Sequence, residues 1–101
     1  MDFKNRVFAL TIKIPRGKVV TYQLLAKALG DPKKARAVGN ALNKNIDTKN
    51  IPCHRVVRSD GQAGGYAFGN AEKIKKLKSE GLEIKNGVIS SLSAILFKFK
   101  H

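Results

Sequence analysis

Tryptophan is absent from the chain, cysteine occurs once, and only three prolines punctuate 101 residues. A single cysteine closes no internal disulfide. With His54 and His101 as the only histidines there is also no ligand set for a structural zinc. No apolar run approaches the roughly 18–20 residues that a membrane span needs; the stretch Ala94–Phe97 is four residues long and Lys98 follows it. The N-terminus lacks the apolar core and small-residue cleavage site of a signal peptide, so an intracellular protein is expected. Acidic residues are scarce as well: 7 Asp+Glu stand against 20 Lys+Arg, a net charge of +13. Such an excess points to an anionic partner, nucleic acid first and an acidic membrane surface second, with a merely soluble basic protein as a third reading. The length suits one domain, residues 1–101, with a small core.

What is present reads mainly as helix. Phe3, Val7, Leu10 and Ile14 recur at helical spacing and predict a helix over residues 2–14, which Pro15 and Gly17 break. After an extended Val19-Val20 link, Thr21 suits the N-cap of a second helix, 22–29, with Leu24, Leu25, Ala28 and Leu29 on its apolar face and Gly30 as its stop. Asp31-Pro32 starts a third helix over about 32–44, apolar along Ala35, Val38, Ala41 and Leu42 and otherwise basic and amide-rich. Two short helices across a tight glycine-containing turn, the second basic, form a helix-turn-helix pattern. Residues 51–58 read as a turn entering a short strand. Residues 61–69 are a loop holding four of the nine glycines. A fourth helix is expected over 70–80, with Ala71, Ile74 and Leu77 inward and Lys73, Lys75, Lys76 and Lys78 outward. The tail, 82–101, reads as two short strands around the hairpin pair Asn86-Gly87, with apolar positions at Ile84, Val88, Ile95, Phe97 and Phe99.

Four positions carry candidate chemistry. Cys53 is either a small buried hydrophobe or a nucleophile; Pro52, His54 and Arg55 beside it supply a rigid turn, a base and a cation. Arg36 is either solvated surface or a DNA contact on the second helix of the pair. Tyr22 either covers the core edge or places a phenol beside a phosphate or base. Gly39 costs its helix about 1 kcal/mol relative to alanine, which implies close helix packing or the approach of a backbone or ligand.

The segment Ile51-Pro52-Cys53-His54-Arg55-Val56-Val57 resembles the active-site segment of the O6-alkylguanine-DNA alkyltransferases, a family of direct-reversal DNA repair proteins. Residues 21–26 and 35–41 resemble the family upstream, and Gly65-Tyr66 and Glu80-Gly81 downstream, so the likeness covers about residues 3–85. It implies a winged-helix-like domain, mainly α with short β elements, made of a helix-turn-helix, an active-site strand and turn, and a C-terminal hairpin. The implied partner is double-stranded DNA carrying O6-alkylguanine, bound in the minor groove by a monomer. Arg36 would fill the gap left by the rotated base, and Tyr22 would help rotate the neighbouring phosphate. Ala37, Gly39, Lys33 and Lys34 would complete the DNA-binding face. Cys53 would take the alkyl group once and irreversibly, with His54 accepting the thiol proton through water and Glu80 orienting the histidine. Asn45, Val56, Tyr66 and Ala67 would surround the substrate. No cofactor and no metal are implied. The implied location is the cytoplasm or nucleoid of a prokaryote, or a eukaryotic nucleus.

The chain departs from that pattern in three places. It begins almost at the first helix of the DNA-binding domain, so the usual N-terminal domain is expected to be absent. Ala67 and Phe68 replace what is often a small hydroxyl residue and a glycine. The tail beyond about residue 88 matches nothing in the family. Three alternatives follow: an alkyltransferase-like protein that binds the lesion without reacting, its cysteine commonly replaced by tryptophan; a basic helix-turn-helix module; and a structural or partner-binding fragment with an inert buried thiol. Cys53 argues against the first, and the segment from Pro52 to Val57 against the second.

Overall fold

The computed structural model describes residues 2–64 and 69–99. Helix α1 spans Phe3–Thr11, its N-cap Asp2 accepting from the Asn5 amide at 2.8 Å. The periodicity over residues 2–14 overshoots this helix. Three-residue turns close at Lys13 and Ile14, and Pro15 disfavours helical geometry at the residue before it. Ile14 is buried all the same, so the apolar rhythm outlasts the helix.

Strand β1 (Val20–Thr21) leads directly into α2 (Tyr22–Ala28), where the Thr21 hydroxyl caps the Leu24 amide at 3.0 Å. Gly30, at φ +111°, turns the chain out of α2. Asp31 caps the Lys33 amide, as its sequence position predicts. The helix expected over 32–44 is divided, however: a 3₁₀ turn, Pro32–Lys34, precedes helix α3, Ala35–Leu42. On α2 the inward residues are Leu25 and Ala26, and Leu24, expected inside, is 38% exposed.

A second 3₁₀ turn, Cys53–Arg55, runs into strand β2 (Val56–Val57). Strands β1 and β2 pair in parallel, Val20 opposite Val56 and Thr21 opposite Val57, and Val19 bridges to Leu96 on its other side. Alternation along these strands divides the core in two. Val20 and Val56 join Val7, Leu25, Val38, Ala41 and Leu42 in one cluster. Val19 and Val57 join Leu77, Leu82, Ile84 and Ile89 in the other. The parallel strand pair therefore fixes the Cys53–Arg55 turn between the helix-turn-helix and the C-terminal part of the chain.

Helix α4 spans Asn70–Ser79. Its inward face corrects the sequence reading: Ala71 is exposed and Lys73 is fully buried. Lys73 lies one turn before buried Leu77, and its methylene stem is long enough to carry the ammonium through the core to polar partners. Strands β3 (Ile84–Lys85) and β4 (Val88–Ile89) form the expected hairpin, with Asn86 and Gly87 both at positive φ, as a two-residue turn of this twist requires. Val88, expected in the core, is 40% exposed at the hairpin tip. After a 3₁₀ turn over Leu92–Ile95, Phe97 and Phe99 pack edge to face on the α1–α3 core. The whole is mainly helical with short strands, a hairpin beside a helix-turn-helix. No helix among the described residues is long and apolar enough to cross a membrane.

Candidate active site and nucleic-acid interface

The turn that carries Cys53 is built by the polar loop before it. Asn45 is buried; its amide nitrogen donates to the Ile51 carbonyl at 3.0 Å and its oxygen accepts from the Asp47 amide at 2.9 Å. Both ends of its side chain hold the loop together. The Cys53 amide then donates to the Ile51 carbonyl at 2.8 Å, and the Arg55 amide to the Pro52 carbonyl at 3.0 Å. Cys53 is 5% exposed and is a member of the α1–α3 core.

His54 and Glu80, distant in sequence, meet here: Nε2 lies 2.9 Å from Oε2. Arg55 grips the same carboxylate by two edges, Nε to Oε1 at 2.9 Å and Nη2 to Oε2 at 2.7 Å, and its Nη1 donates to the Ile14 carbonyl at 2.8 Å. The sequence reading set Arg55 beside the sulfur as a cation; the structure engages it with Glu80 and the Ile14 carbonyl beyond α1 instead. Burial alone would raise the Glu80 carboxyl, but the bonds from Arg55 and His54 overcome this and hold it at about 2. An ionised carboxylate only accepts, so His54 carries its hydrogen on Nε2 and its lone pair on Nδ1. Nδ1 is buried and has no hydrogen-bond partner among the described residues. Burial lowers the basicity of His54 below its ordinary value, the Glu80 bond and charge oppose that, and the positive charges of Arg55 and Lys76 add to it. The imidazole is thus neutral at neutral pH, with a buried lone pair one residue from the thiol.

A groove of about 1010 Å³ lies between one face of α3 and the opposite wall of loop and hairpin. Arg36, Gly39, Asn40 and Asn43 line it from α3, and Arg58, Ala63 and Gly64 line the other side. Tyr22 lies in its wall. The Tyr22 phenol accepts from Lys73 Nζ at 3.1 Å, and the same ammonium donates to the Val56 carbonyl at 2.6 Å. Burial raises the phenol to about 12, with a charge on Cys53 adding to the rise and Arg58 opposing it. Burial lowers Lys73 to about 8, with Cys53 opposing. Cys53 is not among the groove-lining residues; it acts electrostatically on both Tyr22, which is, and Lys73. Gly64 sits at φ +83°, and a Cβ there would come within 3.0 Å of the phenol oxygen. Only glycine therefore leaves the Tyr22 phenol in place.

The sequence-derived site residues sort accordingly. His54 meets Glu80 at the turn that also carries Cys53; Tyr22, Arg36 and Gly39 share the groove. Lys33, Lys34 and Ala37 are exposed but lie outside the groove lining, and Lys34 rests over the Phe3 ring at 5.6 Å. The Val56 backbone is engaged within the protein, its N–H with the Cys53 carbonyl and its carbonyl with Lys73. Tyr66 and Ala67 lie outside the described residues. Lys73, Arg58, Asn40 and Asn43 join the site without having been singled out. For Lys73 the signal was its spacing of four from Leu77, which assigns a charged residue to the inward stripe.

Comparison with known proteins agrees with this fold. The model of a family described as 6-O-methylguanine DNA methyltransferase, DNA binding domain, matches residues 2–82. The chain is 51% identical over 89 residues to a bifunctional methyltransferase/endonuclease of Picrophilus torridus, covering 88% of this chain and 30% of that protein. It is 41% identical over 85 residues to a methylated-DNA–protein-cysteine methyltransferase of Methanothermobacter thermautotrophicus, covering 83% of this chain and 47% of that one. The crystal structure of S. pombe Atl1 in complex with damaged DNA containing O6-carboxymethylguanine superposes with a TM-score of 0.84 at 31% identity, covering 95% of this chain and 94% of that chain. A helix-turn-helix with a hairpin beside it, matched over most of its length by these proteins, defines a DNA-binding domain of the alkyltransferase class. The chain belongs to the 6-O-methylguanine DNA methyltransferase family. It spans less than half the length of these two curated relatives.

Proposed function

We propose that this domain binds duplex DNA carrying O6-alkylguanine from the minor groove, rotates the damaged base out, and transfers its alkyl group irreversibly to Cys53. The buried Nδ1 lone pair of His54, held by the Glu80 bond to Nε2 beside the only thiol, carries this reading. A water molecule between the thiol and Nδ1 passes the thiol proton to the imidazole as sulfur attacks the alkyl carbon. The S–C bond forms and the C–O6 bond breaks, its electron pair leaving with the guanine, which recovers a proton from water. The thioether is stable, so each molecule acts once and no cofactor takes part. In the groove, Arg36 is the residue that fills the vacated stack, and Tyr22 stands where the neighbouring phosphate would turn. The domain acts as a monomer. Asn45 serves as the scaffold of the turn.

A second reading, lesion binding without transfer, is favoured by the likeness to S. pombe Atl1 bound to damaged DNA. The test is to mix the protein with a duplex containing one O6-methylguanine and weigh it. We expect a gain of one methyl group on the parent and none on Cys53→Ala. Tight lesion binding with no change in mass would establish the second reading, and no preference for the lesion would overturn both.

A further inference from the structure

Arg55 is the charged group of the turn that the transfer reading leaves unused. It donates from Nε and Nη2 to the two oxygens of Glu80 and from Nη1 to the Ile14 carbonyl, and its side chain is 16% exposed. Pro15 keeps Ile14 out of the helix, which frees that carbonyl. Three acceptors converge on one planar donor, a match that only a guanidinium makes.

We propose that Arg55 is a positioning residue that sets both the tautomer and the charge of His54: its fork aims Glu80 Oε2 at Nε2, and its positive charge offsets the carboxylate so that the imidazole stays neutral with its lone pair at Nδ1. A carboxylate alone beside an imidazole favours the imidazolium, and an imidazolium accepts no proton from a thiol. The transfer chemistry needs the opposite: a carboxylate close enough to orient the ring, yet neutralised enough not to charge it. Sharing Oε2 between Nη2 at 2.7 Å and Nε2 at 2.9 Å satisfies both demands. Among the described residues, the other charged or titratable groups around His54 are Cys53 on its own turn, Lys76 on α4 and Lys49 on the preceding loop. Lys76 and Lys49 line, with His54, Arg55 and Glu80, a cleft of about 330 Å³ that shares no residue with the groove. Lys76 acts in the same direction as Arg55.

The inference rests on the transfer reading, so its test has one arm that needs no transfer. His54 is followed by NMR titration in the parent, Arg55→Met and Arg55→Lys, with His54→Gln assigning the signal against His101. In parallel, the rate of alkylation of Cys53 by free O6-methylguanine is measured against pH. In Arg55→Met the His54 titration should move up by about one pH unit or more. The acid limb of the rate profile should move with it, lowering the rate below the midpoint about tenfold per unit and recovering at high pH. Arg55→Lys restores charge without the fork, so its titration should lie between the other two. In the Glu80→Gln/Arg55→Met double variant the upward shift should vanish. An unmoved His54 with a rate lowered equally at every pH would reduce Arg55 to a structural brace and overturn the proposal, and so would no change in either arm. Should Arg55→Met fail to fold, the direction of the shift in Arg55→Lys decides instead: upward supports the proposal, and no shift overturns it. A parent that never alkylates would count against the transfer reading alone, because the titration still judges Arg55.

Discussion

Lys73 shows how much a single residue contributes to this fold. Its ammonium lies at zero exposure between the Val56 carbonyl and the Tyr22 phenol, tying strand β2 and helix α2 to α4. Burial lowers it from 10.5 to about 8. Between these values the unfolded chain holds the proton more firmly than the folded one. Stability therefore rises with pH across the window, and below it a cost on the order of 3 kcal/mol is present in full. Tyr22 acts with the opposite sign, since its folded value of about 12 exceeds the ordinary 10.0, so its effect begins above pH 10. Urea midpoints measured between pH 8 and pH 10 should climb for the parent and stay level for Lys73→Met; parallel curves would refute the burial account. Glu80 behaves in reverse. Held at about 2 from an ordinary 4.5, it stabilises the fold above pH 4.5 and loses that contribution as pH falls towards 2. The Glu80→Gln variant should accordingly show a shallower acid denaturation over that window, read by circular dichroism.

At the scale of elements, α3 separates the needs of helix and groove. Gly39 lies within it, yet a Cβ there would meet the Tyr22 ring at 3.8 Å, an ordinary contact, so helix packing does not demand the glycine. Its open side faces the groove, where a bound ligand would meet an added methyl group. Gly39→Ala is therefore expected to stabilise the fold by up to about 1 kcal/mol while weakening binding to a lesion duplex; a loss of stability would return Gly39 to packing. Arg36→Ala should slow repair in duplex DNA far more than reaction with the free base, which needs no rotation, and equal slowing in both assays would remove the stack-filling role. The sequence made caps and stops legible because each is local chemistry: Thr21, Asp31, Gly30 and the pair Asn86-Gly87 all occupy the positions their side chains or φ angles demand. The resemblance likewise named His54 and Glu80, which the structure brings within 2.9 Å of each other. What stayed illegible was decided by partners far along the chain. Nothing near Lys73 in sequence announces the Val56 carbonyl, and nothing near Arg55 announces that Glu80 rather than the thiol receives it. The early end of α1 was signalled by Pro15, but the apolar rhythm through Ile14 hid it.

For the whole molecule the question is where the net charge of +13 acts. Lys33, Lys34, Arg36 and Lys44 are exposed on or beside α3, and Arg58 lines the opposite wall of the groove. Lys75 and Lys78 are exposed on α4. Neither lines the groove, whereas Asn70, at the start of that helix, does. If charge acted only through the overall field, removing any two lysines would weaken DNA binding alike. If phosphates are met at the helix-turn-helix, removal there must also change the salt dependence, since each neutralised phosphate contributes about 0.9 to the slope of log affinity against log salt. Dissociation constants for undamaged duplex across a salt series separate the two cases. Lys33→Gln/Lys34→Gln should lower the slope by nearly two, and Lys75→Gln/Lys78→Gln should leave it within experimental scatter. Reaction with free O6-methylguanine should be unaffected in both, because neither pair touches the Cys53 turn. An equal change of slope in the two double variants would mean that the basic excess attracts DNA without orienting it, and the register on the duplex would then rest on Arg36, Arg58 and the amides of α3 alone.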